Sequence, residues 1–428
     1  MTNKKRRIRR KYFIRRCIFV LVILLILYLI YNIIFNIFIK DDNKQEQIIP
    51  NNKESNNTSY KIDFNITYES EEDTDIIDTV FMDGMNLNDF ESILKLSPKK
   101  VNSSSKYNYV DYNFDNKLHY YELENYYKEL NNSDIVSLYE IGKSVDNRII
   151  YGIEIGKGTD VLFLDANIHA AEVSTTYILL KYLIDVVNEY ESNDNNIREL
   201  LEHVKIAAIP CINPDGYDVY NFGIESLNNK DLWIYQNKDK INFEYIKSNA
   251  NGVDLNRNFP TQNSGLVFKD KKMHSNTSTR RTTNSNKYYN GDTVGSEPEI
   301  KAAMYFMLKH HKNIYAYLNI HSQGRVLYAG KPNLSDNFND ITQKFAKWMS
   351  KINGYRVHGV EDEYVGVGND GSATDFMAEL ANGFIFSSKT GRLSTDKYID
   401  NNCEFKYSYP VITMEVSNTW NSRYFNML

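Results

Sequence analysis

From about residue 115 onward, strand-like apolar segments alternate with longer segments of helical period, and this alternation restricts the fold more than any other property of the 428-residue chain. RIIYGIEIG (148–156), DVLFLDANI (160–168), VKIAAIPCI (204–212), IYAYLNIH (314–321) and VITMEV (411–416) are short, rich in Ile and Val and bounded by Gly, Asn or Asp, as strands are. TTYILLKYLIDVVNEY (175–190), PEIKAAMYFMLKHH (298–311) and FNDITQKFAKWMSKI (338–352) repeat apolar residues at helical spacing. Interleaving the two implies one α/β domain over residues 115–428, with a mixed, mostly parallel sheet flanked by helices on both faces. No internal repeat divides the region, and TQNSGLVFKDKKMHSNTSTRRTTNSNKY (261–288) reads as a long surface loop.

The N-terminal part has a different texture. Residues 1–16 carry nine Lys or Arg and no acid, and residues 17–39, CIFVLVILLILYLIYNIIFNIFI, contain no charge at all. A cleaved export signal has a shorter apolar core followed by small residues, so this run is expected to be an uncleaved transmembrane helix. Basic residues stay on the cytoplasmic side, which predicts a single-pass protein of the cell membrane with residues 1–16 as cytoplasmic tail and the C-terminal domain extracellular. Asn32 and Asn36 are the costly positions in such a span. Residues 40–114, rich in Asn, Ser, Asp and Glu, read as a polar stalk or linker, with helical spacing only near residues 78–96.

Without the basic tail the chain holds 41 Lys and Arg against 55 Asp and Glu, an acidic balance that excludes nucleic acid as partner. The three cysteines, Cys17, Cys211 and Cys403, are isolated and form neither a disulfide framework nor a Cys-x-x-Cys metal site.

Ligands of open α/β sheets bind beyond the carboxyl ends of the strands, which directs attention to FLDANIHAAEVSTTY (163–177). His169 falls just past a strand and Glu172 at the start of the next helix, so imidazole and carboxylate can converge. Alone, such a pair is more often structural than ligating. Two further strand ends supply His321, in NIHSQG, and Glu415, in VITMEV, where a carboxylate between Met414 and Val416 is costly unless it has a role. Two histidines and a glutamate with one position open form the donor set of a catalytic zinc site.

IHAAE, PCINPDGYD (210–218), NANGVDLNRNFP (249–260), YNGDTVGSEPE (289–299), NIHSQG (319–324), GSATDF (371–376) and TMEV (413–416) follow one another in an order that resembles the zinc metallocarboxypeptidase family. The resemblance is strongest to its bacterial branch of γ-D-glutamyl-diaminopimelate peptidases of cell-wall metabolism. It implies one Zn2+ per chain held by His169, Glu172 and His321, Glu415 as general base, and Asn256 with Arg257 gripping a substrate carboxylate, a task for which the planar guanidinium is suited.

Three positions depart from the family pattern. Ala171 stands where a basic residue often precedes the ligand glutamate. Lys247 stands, after an insertion and behind Ile246 rather than an aromatic, where an arginine stabilises the oxyanion; lysine brings the charge without the fork. Altered spacing in EDEYVGVGNDGSATDF leaves Tyr364 as candidate for the mobile-loop tyrosine in a chain of 33 tyrosines, and Thr374, among Ser372, Ala373 and Asp375, as candidate lining of the specificity pocket. The expected function is a membrane-anchored zinc metallopeptidase acting on peptidoglycan stem peptides. A general carboxypeptidase for extracellular peptides and a catalytically silent wall-binding protein are the alternatives.

Overall fold

A computed structural model describes residues 91–92, 94–237, 246–261, 289–291, 295–331, 334–360, 371–382, 385–387, 392–394 and 409–417, all within one compact unit, Ile76–Leu428. The basic tail, the apolar run 17–39, the linker up to residue 90 with most of the 78–96 segment, the loop 262–288 and Tyr364 lie outside the described residues. Among the described residues, no helix is long and apolar enough to cross a membrane.

The strands, in chain order, are β1 (Lys99–Lys100), β2 (Val136–Lys143), β3 (Ile149–Ile155), β4 (Asp160–Ala166), β5 (Val204–Ile209), β6 (Ile314–Ser322), β7 (Val326–Ala329), β8 (Arg356–His358), β9 (Ile385–Ser387), β10 (Arg392–Ser394) and β11 (Val411–Val416). Strands β9 and β10 form a separate antiparallel ribbon, and the other nine make one sheet in the order β1-β2-β3-β5-β4-β6-β11-β7-β8. Its centre, β5-β4-β6-β11, is parallel. Antiparallel pairing begins at β3 on one side and at β7 on the other, and β8 runs parallel to β7. Among the described strands of this sheet, parallel and antiparallel neighbours are therefore equally many, which corrects the expectation of a mostly parallel sheet. Alternation of strands and helices reveals crossovers, but strand pairs joined by tight turns escape it. Between β2 and β3 the turn closes with Ser144 N–H on the Arg148 carbonyl (2.8 Å) and Asn147 N–H on that of Ser144 (2.9 Å).

The helices are α1 (Tyr120–Leu130), α2 (Ser174–Glu191), α3 (Asn195–His203), α4 (Pro214–Phe222), α5 (Lys230–Asn237), α6 (Pro298–His310), α7 (Asp336–Asn353) and α8 (Ala373–Ala381). Successive residues of β11 point to opposite faces, and the core divides accordingly. Val411 joins Phe163, Tyr317, Phe306 of α6 and Phe376 of α8 in one cluster. Ile412 joins Ala346 of α7, with Met414 and Leu318 packed against them, in another. Helix α7 starts where Ser335 Oγ accepts the Phe338 N–H and ends at Gly354, whose φ of 72° the absent Cβ permits.

The domain also takes in the last part of the segment read from sequence as linker. β1 pairs with β2, Leu94, Val110 and Phe114 are buried, and Asn188 of α2 both accepts the Val110 N–H (3.0 Å) and donates to its carbonyl (2.9 Å). Val110 and Phe114 stand singly among polar residues, so no period marks them.

Candidate active site

The turn from β4 into α2 carries His169 and Glu172 and is held by the Thr175 hydroxyl and by the chain at Ile246. Asn167 N–H donates to Thr175 Oγ1 (2.9 Å), Thr175 Oγ1 donates to the Glu172 carbonyl (2.6 Å), and Ala171 N–H donates to the Ile246 carbonyl (2.9 Å). His321 ends β6 and is the register partner of Glu415 on β11, so both face the same side of the sheet. Four side chains from three strand ends thus meet at the carboxyl edge of the parallel centre.

Glu172 bridges the two imidazoles, with Oε1 2.8 Å from His169 Nδ1 and Oε2 2.8 Å from His321 Nδ1. The three residues are buried, and their candidate ligand atoms all lie within 4.8 Å of one another. Behind them, His169 Nε2 is 3.3 Å from Asp254 Oδ1, and His321 Nε2 is 3.4 Å from Asn256 Nδ2. A ligating histidine is characteristically backed by a carboxylate on its outer nitrogen, so the set fits a zinc ion with one position open. Burial alone would raise the Glu172 carboxyl, but the charges of His169 and His321 hold it well below the usual range. Asp254 is likewise held low, against burial, by His169 and then by Arg257 and Lys247.

Glu415 behaves oppositely. Burial and the Glu172 carboxylate push it up to about 7, while His321 and Lys247 pull against them. Its Oε2 has no hydrogen-bond partner among the described residues. A carboxyl with an open oxygen beside a metal donor set can exchange protons with water near neutrality.

On the substrate side, Asp254 starts the short turn Leu255–Arg257 by accepting the Asn256 N–H on Oδ1 (3.1 Å). Asn256 Oδ1 accepts the Ala373 N–H (2.9 Å), and Arg257 Nη1 donates to the Asn256 carbonyl (2.6 Å). The chain before α8 passes so close that a Cβ on Gly371, at φ +85°, would sit 2.6 Å from the Arg257 carbonyl oxygen, which explains the glycine of GSATDF. Thr374 Oγ1 lies 2.6 Å from Thr413 Oγ1, and Thr413 pairs in register with Asn319, as Asn319 does with Asp165. A polar row, Asp165–Asn319–Thr413, therefore runs one step beneath His321 and Glu415. Asp165, lifted by burial to about 6, accepts from Tyr317 and Asn319, and Asn319 Oδ1 is left without a hydrogen-bond partner among the described residues.

The structure thus brings together His169, Glu172, His321, Glu415, Asn256 and Arg257, with Thr374 on the adjoining polar row. Lys247 belongs with them, since its charge acts on both Glu415 and Asp254; Tyr364 lies outside the described residues. Sequence reasoning missed Asp254, although it stands two residues before Asn256 in a motif already singled out. It also missed Thr413, whose two-residue spacing from Glu415 in a strand assigns it to the same face.

Residues 123–425 match the zinc carboxypeptidase family. The chain is similar to gamma-D-glutamyl-L-diamino acid endopeptidase 1 of Lysinibacillus sphaericus, at 29% identity over 254 residues, covering 57% of this chain and 60% of that protein. It is also similar to carboxypeptidase A6 of Homo sapiens, at 26% identity over 251 residues, covering 57% and 52%. It thus spans between half and two-thirds of the length of these curated relatives. Its fold is similar to that of bovine thrombin-activatable fibrinolysis inhibitor in complex with tick carboxypeptidase inhibitor, with a TM-score of 0.51 at 20% identity over 73% of this chain and 92% of that one.

Proposed function

This chain belongs to the zinc carboxypeptidase family, and from that premise we propose that it is a membrane-anchored peptidase, facing outward, that cleaves peptidoglycan stem peptides at γ-D-Glu-diaminopimelate beside a free carboxylate. One observation carries the peptidase part: the His169–Glu172–His321 donor set lies beside a half-buried Glu415 whose enclosed Oε2 is uncommitted. His169, Glu172 and His321 would hold the zinc ion, which would supply Lewis acidity to a scissile carbonyl and to a bound water. Asp254 keeps the His169 ring turned toward Glu172. Glu415 accepts a proton from the attacking water and delivers it to the leaving amine, so that one amide bond and one water become a carboxylic acid and an amine. Lys247 offers positive charge to the oxyanion of the tetrahedral intermediate. Arg257 and Asn256 anchor the terminal carboxylate, which fixes which bond is presented to Glu415.

The substrate class is supported by the polar row. Asn319, Thr413 and Thr374 suit a side chain with its own hydrogen-bonding groups better than a large apolar one, and a relative is named for glutamyl-diamino acid bonds. The charge-free run 17–39 behind a basic tail supports anchoring. A γ-D-Glu-diaminopimelate stem peptide should be cleaved with kcat/KM at least about tenfold above a matched α-linked peptide, a difference of about 1.4 kcal/mol. Equal or faster cleavage of the α-linked peptide would transfer the protein to general carboxypeptidases. An alkaline-phosphatase fusion after residue 45 should be active, and an inactive fusion would refute the outward orientation.

A further inference from the structure

The motif YNGDTVGSEPE takes no part in the chemistry above, yet its Glu297 is buried at the head of α6 and ties down the substrate turn from both ends. Its Oε2 accepts from Nδ2 of Asn249 (2.7 Å) and of Asn251 (3.0 Å), and its Oε1 accepts from Ser296 Oγ (2.7 Å). Its backbone N–H donates to Oδ1 of Asn258 (3.1 Å), at the far end of the same turn, where Gly295 N–H also donates to the Asn258 carbonyl (2.7 Å). Asn249 is the pivot at the near end. Its Oδ1 accepts the N–H groups of Asn251 (3.0 Å) and Val253 (3.1 Å), and its Nδ2 also reaches Glu299 Oε2 (3.0 Å). Between these two anchorages hang Asp254, behind His169, then Asn256, 3.4 Å from His321, and Arg257.

We infer that Glu297 is a positioning residue for substrate binding: it clamps residues 249–258 at both ends and so sets Arg257 and Asn256 at a fixed distance from the His169–Glu172–His321 centre. The inference rests on the reading that Arg257 holds the substrate's terminal carboxylate. A buried carboxylate that accepts two side-chain amides is not replaced by water without movement, because the amides lose their acceptor in an enclosed place. Displacement of a substrate anchor by about 1 Å is enough to cost up to about 10²-fold in rate.

Two matched peptides, one ending in a free carboxylate and the other in a carboxamide, give the test, with the ratio of their kcat/KM values as readout on the zinc-loaded full chain. Arg257→Met should abolish the preference for the carboxylate; a variant that keeps it would refute the reading of Arg257 itself, whatever Glu297 does. Glu297→Ala should cut the ratio by about tenfold or more, mainly through KM of the carboxylate peptide, with the amide peptide changed by less than about threefold and bound zinc unchanged. Glu297→Gln keeps a carbonyl acceptor for Asn249 and Asn251 and should restore most of the ratio. Equal losses on both peptides, or an unchanged ratio beside a responsive Arg257→Met, would overturn the inference. Should the alanine variant not fold, Glu297→Asp, which withdraws the carboxylate by one methylene, is read by the same ratio.

Discussion

Two clusters of buried charge stand near each other in chain order and are built to opposite rules. Around Arg148, the guanidinium meets Asp146, Asp215 Oδ1 (3.0 Å) and Asp218 Oδ2 (3.4 Å) and donates to the Ser226 carbonyl (2.7 Å). The carboxylates are completed by Ser144 Oγ (2.7 Å) and Asp146 N–H (2.9 Å) on Asp215, by Asn228 and Asn229 N–H on Asp146, and by Tyr120 N–H on Asp218. Around His169, by contrast, Asp254 Oδ2 and Glu415 Oε2 have no hydrogen-bond partner among the described residues. A buried polar group left open costs stability, so the first cluster is cohesion and the second is capacity reserved for a ligand. Satisfaction of hydrogen bonds separates a structural knot from a chemical site more sharply than burial or charge does.

The contrast can be broken most forcefully at Glu415. Glu415→Gln should lower kcat by about 10²–10⁴-fold while zinc content and thermal midpoint stay at wild-type values; steady-state kinetics beside elemental analysis and a thermal melt decide it. Retention of more than about a tenth of the rate would assign the base elsewhere. The reverse pattern is expected of Arg148→Met, which leaves three carboxylates without their cation. Urea titration should find about 3–5 kcal/mol of stability lost, with kcat per folded molecule preserved. Asp254→Asn probes the support of the second cluster: competition with a chelator should show zinc held about 10–100-fold more weakly.

The smallest effect concerns a further charged cluster, at the opposite end of the sheet, where Glu154 meets Lys309, His310 Nε2 (3.2 Å) and Lys205 (3.5 Å). Burial would lift Glu154, but the His310 hydrogen bond and the Lys309 charge bring it down to about 2, while burial lowers His310. Both groups bind protons less readily folded than unfolded. Their contribution is therefore present above the unfolded values, lost for His310 as pH falls below its ordinary range and for Glu154 as pH falls from about 4.5 through about 2. Glu154→Gln should cost about 1 kcal/mol at neutral pH and flatten the acid side of a stability profile measured by urea titration. An unchanged profile would show this cluster to be neutral packing.

Much of this was legible beforehand, for identifiable reasons. The strands at 160–166, 204–209, 314–322 and 411–416 and the helices at 174–191, 298–310 and 336–353 fall within two or three residues of their periodic segments, because buried strands and amphipathic helices are written in apolar spacing. β2 was missed, since VSLYEIGK mixes apolar residues with Glu140 and Gly142, and α8 because nine residues give too few turns to show a period. In the site, residues tied to a motif were readable one by one. Glu297 and Asp254 lie inside motifs whose spelling assigns them no role, because what they do depends on which parts of the chain fold against them.

The placement of β11 has a consequence for how such a molecule is made. This strand, Val411–Val416, is inserted between β6, which ends at Ser322, and β7, which ends at Ala329. Until β11 is synthesised, β6 and β7 lack the strand that joins them, and unpaired strand edges are of the kind that adhere to other chains. His169, Glu172 and His321 are already translated at that stage, but Glu415 is not. Closure of the sheet and the arrival of Glu415 beside His169, Glu172 and His321 thus coincide, both brought by β11.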